Sequence, residues 1–240
     1  MIDKREKRAE KANQNSPSGV EGKHFVDIST WKRREHFEVF NTFDEPWFGV
    51  VVRLECSAAR KVAKEKGYQF SLYYLYLSLQ AANEIEEFRY RIEDDKVVCY
   101  DSVGAGATIF REDETYGCGY FPYNEDIEAF MQQAKAETNR VKAEFGLKFP
   151  DPGPEIIHYS TVPWVDFYAV NHARKFSASR SIPKITFGKI TRDGDKMWLP
   201  VDIHANHALL DGFHVGKFVE RFQELLKEQP PKSPTGGFKD

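Results

Sequence analysis

The alternation of apolar and polar positions predicts strands and helices in turn along most of the chain. Residues 48–56 are rich in β-branched and aromatic side chains and predict a strand. The next segment, SAARKVAKEKG, predicts a helix with Ser57 as its N-cap and Gly67 at its end. Ser71 then opens residues 72–85, which are apolar on nearly every side and indicate a buried helix.

Turn and cap residues divide the remainder of the chain. Asp94-Asp95 predicts a hairpin within residues 90–101, and the segment Arg192-Asp-Gly-Asp predicts another. Asn124 is expected to cap an amphipathic helix that continues to Phe145, and Asp211 to open the last helix. Further strand-like runs cover residues 107–110, 115–121, 156–164, 167–170, 184–190 and 196–208.

These elements predict an α/β (α+β layered) fold, in which a mixed β-sheet is covered by about five helices. We expect a single domain over residues 23–228. Residues 1–22 are charged and polar, and residues 229–240 are rich in Pro and Gly, so both are expected to be tails.

Composition narrows the class of protein. The chain has 240 residues, of which 41% are hydrophobic and 14% aromatic, so it has ample apolar area for a core. A net charge of -3 provides no general attraction to nucleic acid or to an anionic membrane. Three cysteines without CxxC spacing predict neither a disulfide framework nor a cysteine zinc site. With no signal-peptide core and no long apolar run, we expect a soluble cytoplasmic protein.

The segment His204-Ala-Asn-His207-Ala-Leu-Leu-Asp211-Gly carries the candidate chemistry, because it joins a predicted strand to a predicted helix. One interpretation is a catalytic histidine at the strand end. Another is structural, with Asp211 as an N-cap and His207 as a core histidine. A zinc site is disfavoured because residues i and i+3 of a strand point to opposite faces, so that His204 and His207 would diverge.

Residues 204–225 resemble the signature of the chloramphenicol acetyltransferases, His-His-x-x-x-Asp-Gly followed by Phe-His-Val-Gly. Other blocks are similar to that family in the same order, and together they extend the resemblance over about residues 24–228. These blocks are VDISTWKRREHFE from residue 26, FRYRI from residue 88 through YDSV from residue 100, YSTVPWV from residue 159, and TFGK from residue 186.

The resemblance implies a CoA-dependent O-acetyltransferase that uses acetyl-CoA as co-substrate, needs no metal, and forms a homotrimer with active sites between subunits. It implies that His207 is the general base and that the Ser160 hydroxyl donates to the oxyanion. An imidazole titrating near neutrality suits the first role, and a preorganised donor suits the second. Asp211 would pair with Arg33, and Thr186 would hold an ordered water near the intermediate.

The same resemblance implies ligand contacts elsewhere. Lys189 and Trp164 match positions near the CoA channel, and Tyr116 and Phe40 match two aromatic residues of the acceptor slot. Asn206 stands where the family has the first histidine of its pair, and we expect it to face away from the site because it is adjacent to His207 on a strand.

Three functions therefore remain to be compared. The leading one is acetyl transfer to chloramphenicol, or to another hydroxyl acceptor because Tyr116 carries a hydroxyl of its own. A second is the acyltransferase core of a 2-oxoacid dehydrogenase complex, whose chains normally carry lipoyl and subunit-binding segments with long Ala/Pro linkers. We expect that the 22 charged and polar residues before the domain leave no room for these segments. A third is a trimeric relative without catalysis, against which the set of His207, Asp211, Ser160 and Arg33 argues.

Overall fold

The computed structural model describes residues 22–173 and 181–228, and these ranges contain ten strands and five α-helices. The strands are β1 (Lys23–Phe25), β2 (Trp47–Glu55), β3 (Tyr90–Glu93), β4 (Lys96–Tyr100), β5 (Gly104–Phe110), β6 (Tyr116–Phe121), β7 (Ile156–Thr161), β8 (Lys184–Phe187), β9 (Thr191–Asp193) and β10 (Lys196–Asn206). The helices are α1 (Arg34–Phe40), α2 (Ser57–Lys66), α3 (Phe70–Asn83), α4 (Ile127–Ala143) and α5 (Gly212–Lys227), with one 3-10 turn at Glu86–Arg89. Apart from Gly22, the predicted tails lie outside the described residues.

The strands form two sheets, and the larger one is mixed as the sequence predicts. Its seven strands run in the order β2-β10-β8-β7-β5-β6, with β9 paired to β10. The β5–β7 and β7–β8 pairs are parallel, and the other pairs are antiparallel. The smaller sheet, β1-β4-β3, is antiparallel throughout.

Two predicted N-caps are wrong by one or two residues. Ser57 is the first residue of α2, and the cap position is Cys56. The Ser57 backbone N–H donates to the Glu55 carboxylate at 2.7 Å, and the Ser57 hydroxyl accepts the Met197 N–H at 2.8 Å instead of capping the helix. Asp126 caps α4 instead of Asn124, because the Asn124 side chain accepts the Asp126 N–H at 2.9 Å in the preceding turn.

Other predicted boundaries need smaller changes. Helix α4 ends at Ala143, two residues before Phe145, whereas Gly67 ends α2 in the left-handed conformation as predicted. Both predicted hairpins are present, with Asp94 and Asp95 at φ 46° and 59°. Residues 167–170 are not a strand but an irregular segment between β7 and β8.

The core lies between the large sheet and the helices. Eleven of the fourteen residues of α3 are buried, which confirms the predicted buried helix. Its Tyr74 ring packs 4.7 Å from Phe187 of β8, which also contacts Phe222 of α5. Helices α2 to α5 thus cover one face of the sheet, and because successive residues of a strand alternate, Ser160 and Thr186 point to the opposite face.

Arg91 of β3 links the two sheets. Its side chain is fully buried, and it donates to the carbonyl oxygens of Phe88, Tyr90, Pro154 and Ile156. Burial lowers the pKa of Arg91 to about 10. Four carbonyl acceptors satisfy the guanidinium at the junction between the small sheet and the first residue of β7.

Within the described ranges, no helix has the length and apolar character needed to cross a membrane. All three cysteines are free thiols.

Candidate active site

His207 lies directly after β10, in the turn that leads to α5. Its backbone N–H donates to the Pro46 carbonyl at 2.7 Å. Its imidazole stacks on Phe40 with ring centroids 4.2 Å apart and an interplanar angle of 4°, and it also contacts Phe48 at 4.7 Å. The ring is therefore held by aromatic packing, and its buried Nδ1 has no hydrogen-bond partner among the described residues.

Asp211 connects the histidine turn to the helix. As the N-cap of α5 it accepts the Phe213 N–H at 3.0 Å, and Arg33 Nη1 donates to its Oδ2 at 2.6 Å. Arg33 Nη2 also reaches the His207 carbonyl at 3.2 Å. Burial opposes ionisation of Asp211, but the hydrogen bonds from Arg33 and from the Phe213 N–H outweigh it and keep the pKa of this carboxyl below its usual value.

The structure thus brings Arg33, Asp211 and His207 together as the resemblance implies. Asn206 accepts the Ala208 N–H at 2.8 Å and is 1% exposed, so its side chain shapes the turn itself. His214 is a further part that sequence reasoning missed: its Nδ1 accepts the Asp211 N–H at 3.2 Å and completes a capping box. The Asp-x-x-His spacing at a helix start is the signal that could have identified it.

Ser160 and Thr186 line a cavity of about 1120 Å³ on the face of the sheet away from the helices. They are partners in the parallel β7–β8 pair. Tyr116 lines the same cavity, and the residue is 48% exposed. The Thr108 hydroxyl lies 3.4 Å from Ser160 Oγ, a contact that sequence reasoning missed because the two residues are on different strands.

Within one chain, His207 does not meet these hydroxyl groups. Thr186 is paired with Asp202, and His207 is five residues further along from Asp202. At the rise of a strand this places His207 about 16 Å beyond Thr186. Pro46 adjoins both sets, because it lines the cavity and its carbonyl accepts the His207 N–H.

The residues predicted to form the acceptor slot and the CoA channel lie in different parts of one chain. Phe40 belongs to the His207 set, whereas Tyr116 belongs to the cavity, so one chain does not combine them in a single slot. Trp164 and Lys189 lie outside the cavity wall. Trp164 is 59% exposed and packs edge-on against Phe110 at 4.9 Å. Lys189 is exposed, and its backbone N–H donates to the Val165 carbonyl.

A polar cluster, His172 with Asp202 and His204, stands at the wall of the cavity. His172 lines the cavity, and its Nε2 lies 3.2 Å from Asp202 Oδ2 and 3.3 Å from Thr186 Oγ1. His204 Nε2 lies 3.3 Å from Asp202 Oδ1. Burial opposes the charge of Asp202, yet hydrogen bonds with His172 and His204 hold the pKa of this carboxyl below its usual value.

The sequence predicts that His204 diverges from His207, because residues i and i+3 of a strand point to opposite faces. The structure groups His204 with Asp202, two residues before it on the same strand face, and with His172 from another segment.

The chain is similar in sequence and in fold to known proteins. The family profile described as chloramphenicol acetyltransferase matches residues 23–223. Chloramphenicol acetyltransferase 3 of Escherichia coli is 33% identical over 205 residues, which are 85% of this chain and 96% of that protein. A solved chloramphenicol acetyltransferase superposes with a TM-score of 0.77 and 30% identity, over 85% of this chain and 100% of the other.

A more distant likeness concerns the fold alone. The crystal structure titled "probable dihydrolipoamide acetyltransferase" from Listeria monocytogenes has a TM-score of 0.56 at 13% identity, covering 84% of this chain and 94% of that one.

Proposed function

Because this chain belongs to the chloramphenicol acetyltransferase family, we propose that it transfers the acetyl group of acetyl-CoA to a hydroxyl of chloramphenicol. The observation that carries the proposal is the setting of His207. The ring lies between Phe40 and Phe48, and the Arg33–Asp211 pair fixes the backbone of the turn. A base held in this way needs no reorganisation before it removes a proton.

The proposed reaction uses His207 twice. Its imidazole takes the proton of the acceptor hydroxyl while that oxygen attacks the thioester carbonyl. The Ser160 hydroxyl donates a hydrogen bond to the oxyanion, and expulsion of the CoA sulfur returns the proton from His207 to the thiolate. The acetyl group ends on the acceptor oxygen, and no acyl-enzyme is needed.

We further propose that the site is shared between copies in a homotrimer. Its support is the separation of about 16 Å between His207 and Thr186 along one chain. In a cyclic assembly, the His207 of one copy would face the Ser160 and Thr186 cavity of its neighbour. Phe40 and Tyr116 would then line one acceptor slot from two sides, and Lys189 and Trp164 would contribute to the CoA channel.

A second acceptor class is favoured by the polar wall of the cavity. Asp44, Glu45 and Lys184 line it together with His172, and Tyr116 adds its hydroxyl. These groups suit an alcohol more polar than chloramphenicol. A panel of alcohols tested on wild type and Tyr116→Phe decides between the two: a polar acceptor preferred by wild type and lost in the variant would replace chloramphenicol. The acetyl-transfer chemistry would stand in either case.

A cytoplasmic location fits this proposal, because all three cysteines are free thiols.

The decisive experiment is thiol release from acetyl-CoA, measured with and without chloramphenicol. We expect release that depends on chloramphenicol, and a loss of at least about 100-fold in His207→Ala. His36→Ala is the matched control, because His36 is an exposed histidine of α1, and it should keep full activity. Normal turnover in a folded His207→Ala protein would refute the role of His207.

A further inference from the structure

We propose that His172, Asp202 and His204 form a zinc site in the wall of the cavity. This site is distinct from the general base and the oxyanion donor, and its formation does not depend on which acceptor the enzyme uses.

The positions of the ligand atoms are the first argument. One nitrogen from each histidine and one Asp202 oxygen all lie within 4.8 Å of one another. His172 Nε2 lies 3.2 Å from Asp202 Oδ2, and His204 Nε2 lies 3.3 Å from the other carboxylate oxygen, Oδ1. Tetrahedral zinc with bonds of about 2.0 to 2.2 Å separates neighbouring ligand atoms by about 3.3 to 3.6 Å. A small adjustment of the side chains would therefore accommodate the ion.

The chemistry of the donors is the second argument. Two imidazoles and one carboxylate are a common zinc ligand set when a fourth position stays open. Asp202 is 1% exposed and His204 is 6% exposed, so two of the ligands are fixed in a strand within the core. The buried carboxylate supplies the negative charge that a divalent cation requires.

The open position is the third argument. His172 and Thr186 both line the cavity, and Thr186 Oγ1 lies 3.3 Å from His172 Nε2. A fourth ligand would therefore approach from the cavity, as water or the Thr186 hydroxyl. The distances within the cluster also suit hydrogen bonds shared with Asp202, and the Val170 carbonyl lies 3.0 Å from His204 Nε2. Zinc would displace the protons of that network on binding.

The test is titration of the chelator-treated full chain with Zn²⁺ alone, followed by calorimetry. We expect one zinc per chain in wild type, and at least about 100-fold weaker binding in His172→Gln and in His204→Gln, beyond what the loss of an outer-shell partner costs. His158→Gln is the matched control, because His158 lines the same cavity outside the cluster. This control should bind as wild type does.

The His172→Gln variant shows whether a loss of zinc binding is caused by misfolding, because His172 lies outside the helices and strands. Its variant should unfold at the wild-type temperature without zinc, and should lack the rise that zinc gives to wild type. The proposal is overturned if wild type binds no zinc at micromolar concentration, or if His172→Gln binds as tightly as wild type. It is also overturned if binding is lost in His24→Gln instead, because His24, Glu86 and Cys99 form another group of possible ligands.

Discussion

Two inactive variants should restore activity to each other when they share an assembly. His207→Ala removes the proposed base, and Ser160→Ala removes the proposed oxyanion donor. In the proposed cyclic trimer, every site pairs the His207 of one copy with the Ser160 of the next. A mixed trimer of either composition then contains one intact site, so its activity should be about one third of wild type.

An activity of one third of wild type is easily measured, because each parent variant alone should have far lower activity. Ser160→Ala alone should keep about 1% of wild-type turnover, and His207→Ala no more than that. The two chains would be co-expressed with different affinity tags, and mixed assemblies isolated by two successive purifications. Thiol release from acetyl-CoA with chloramphenicol would then be measured per chain, with doubly tagged wild type as the reference.

The result would refute the shared site if mixed assemblies formed and were no more active than the better parent. That outcome would mean that His207 and Ser160 of one chain work together, against their separation of about 16 Å along the sheet. Failure to recover any mixed assembly would refute the oligomer itself.

The remaining predictions concern single groups. Ser160→Ala should lower kcat about 100-fold in steady-state kinetics with little change in KM, because an oxyanion donor acts in the transition state. Urea unfolding of Asp211→Asn, Arg33→Ala and the double variant should show a coupling of about 1 to 2 kcal/mol, because the two side chains are 2.6 Å apart. The stability that Asp211 adds over Asp211→Asn should be complete above its ordinary pKa of 3.8 and should shrink in urea melts as the pH falls through the lower folded value. Asp94→Asn with Asp95→Gly should raise the free energy of unfolding by up to about 1 kcal/mol, because both positions have positive φ.

Each of these has a clear contrary outcome. A raised KM at constant kcat would make Ser160 a binding residue, and strict additivity would separate Asp211 from Arg33. A stability difference that grows in acid would reverse the sign assigned to Asp211. A lower free energy of unfolding in the Asp94→Asn, Asp95→Gly variant would mean that Asp94 or Asp95 makes a contact that stabilises the hairpin by more than its positive φ costs.

The sequence predicts elements well where one local pattern determines them. The apolar run of α3 and the Asp94-Asp95 turn need no information from distant residues. Caps are less certain, because Asn124 and Asp126 are both good acceptors and only the geometry of the turn decides which one caps the helix. The run at 167–170 has the composition of a strand, but β7 and β8 pair directly with each other and give it no place between them.

The candidate site also contains a part that the sequence predicts and a part that it does not. Asp211 and His207 are close in sequence, and the family resemblance supplies their partner Arg33. The cluster at Asp202 could not be predicted, because His172 precedes it by 30 residues and reaches it only through the order of the strands. Likewise, the distance between His207 and Thr186 depends on register, which no local pattern contains.

Arg91 has a consequence for how the molecule unfolds. If the small sheet opened alone, the Arg91 guanidinium would leave the carbonyls of Pro154 and Ile156. The buried guanidinium and these two carbonyls would then lack hydrogen-bond partners. Partial opening is therefore costly, and the two sheets should melt in one cooperative transition. Amide hydrogens of β4 and β7 should then exchange with the same free energy of opening, although they belong to different sheets.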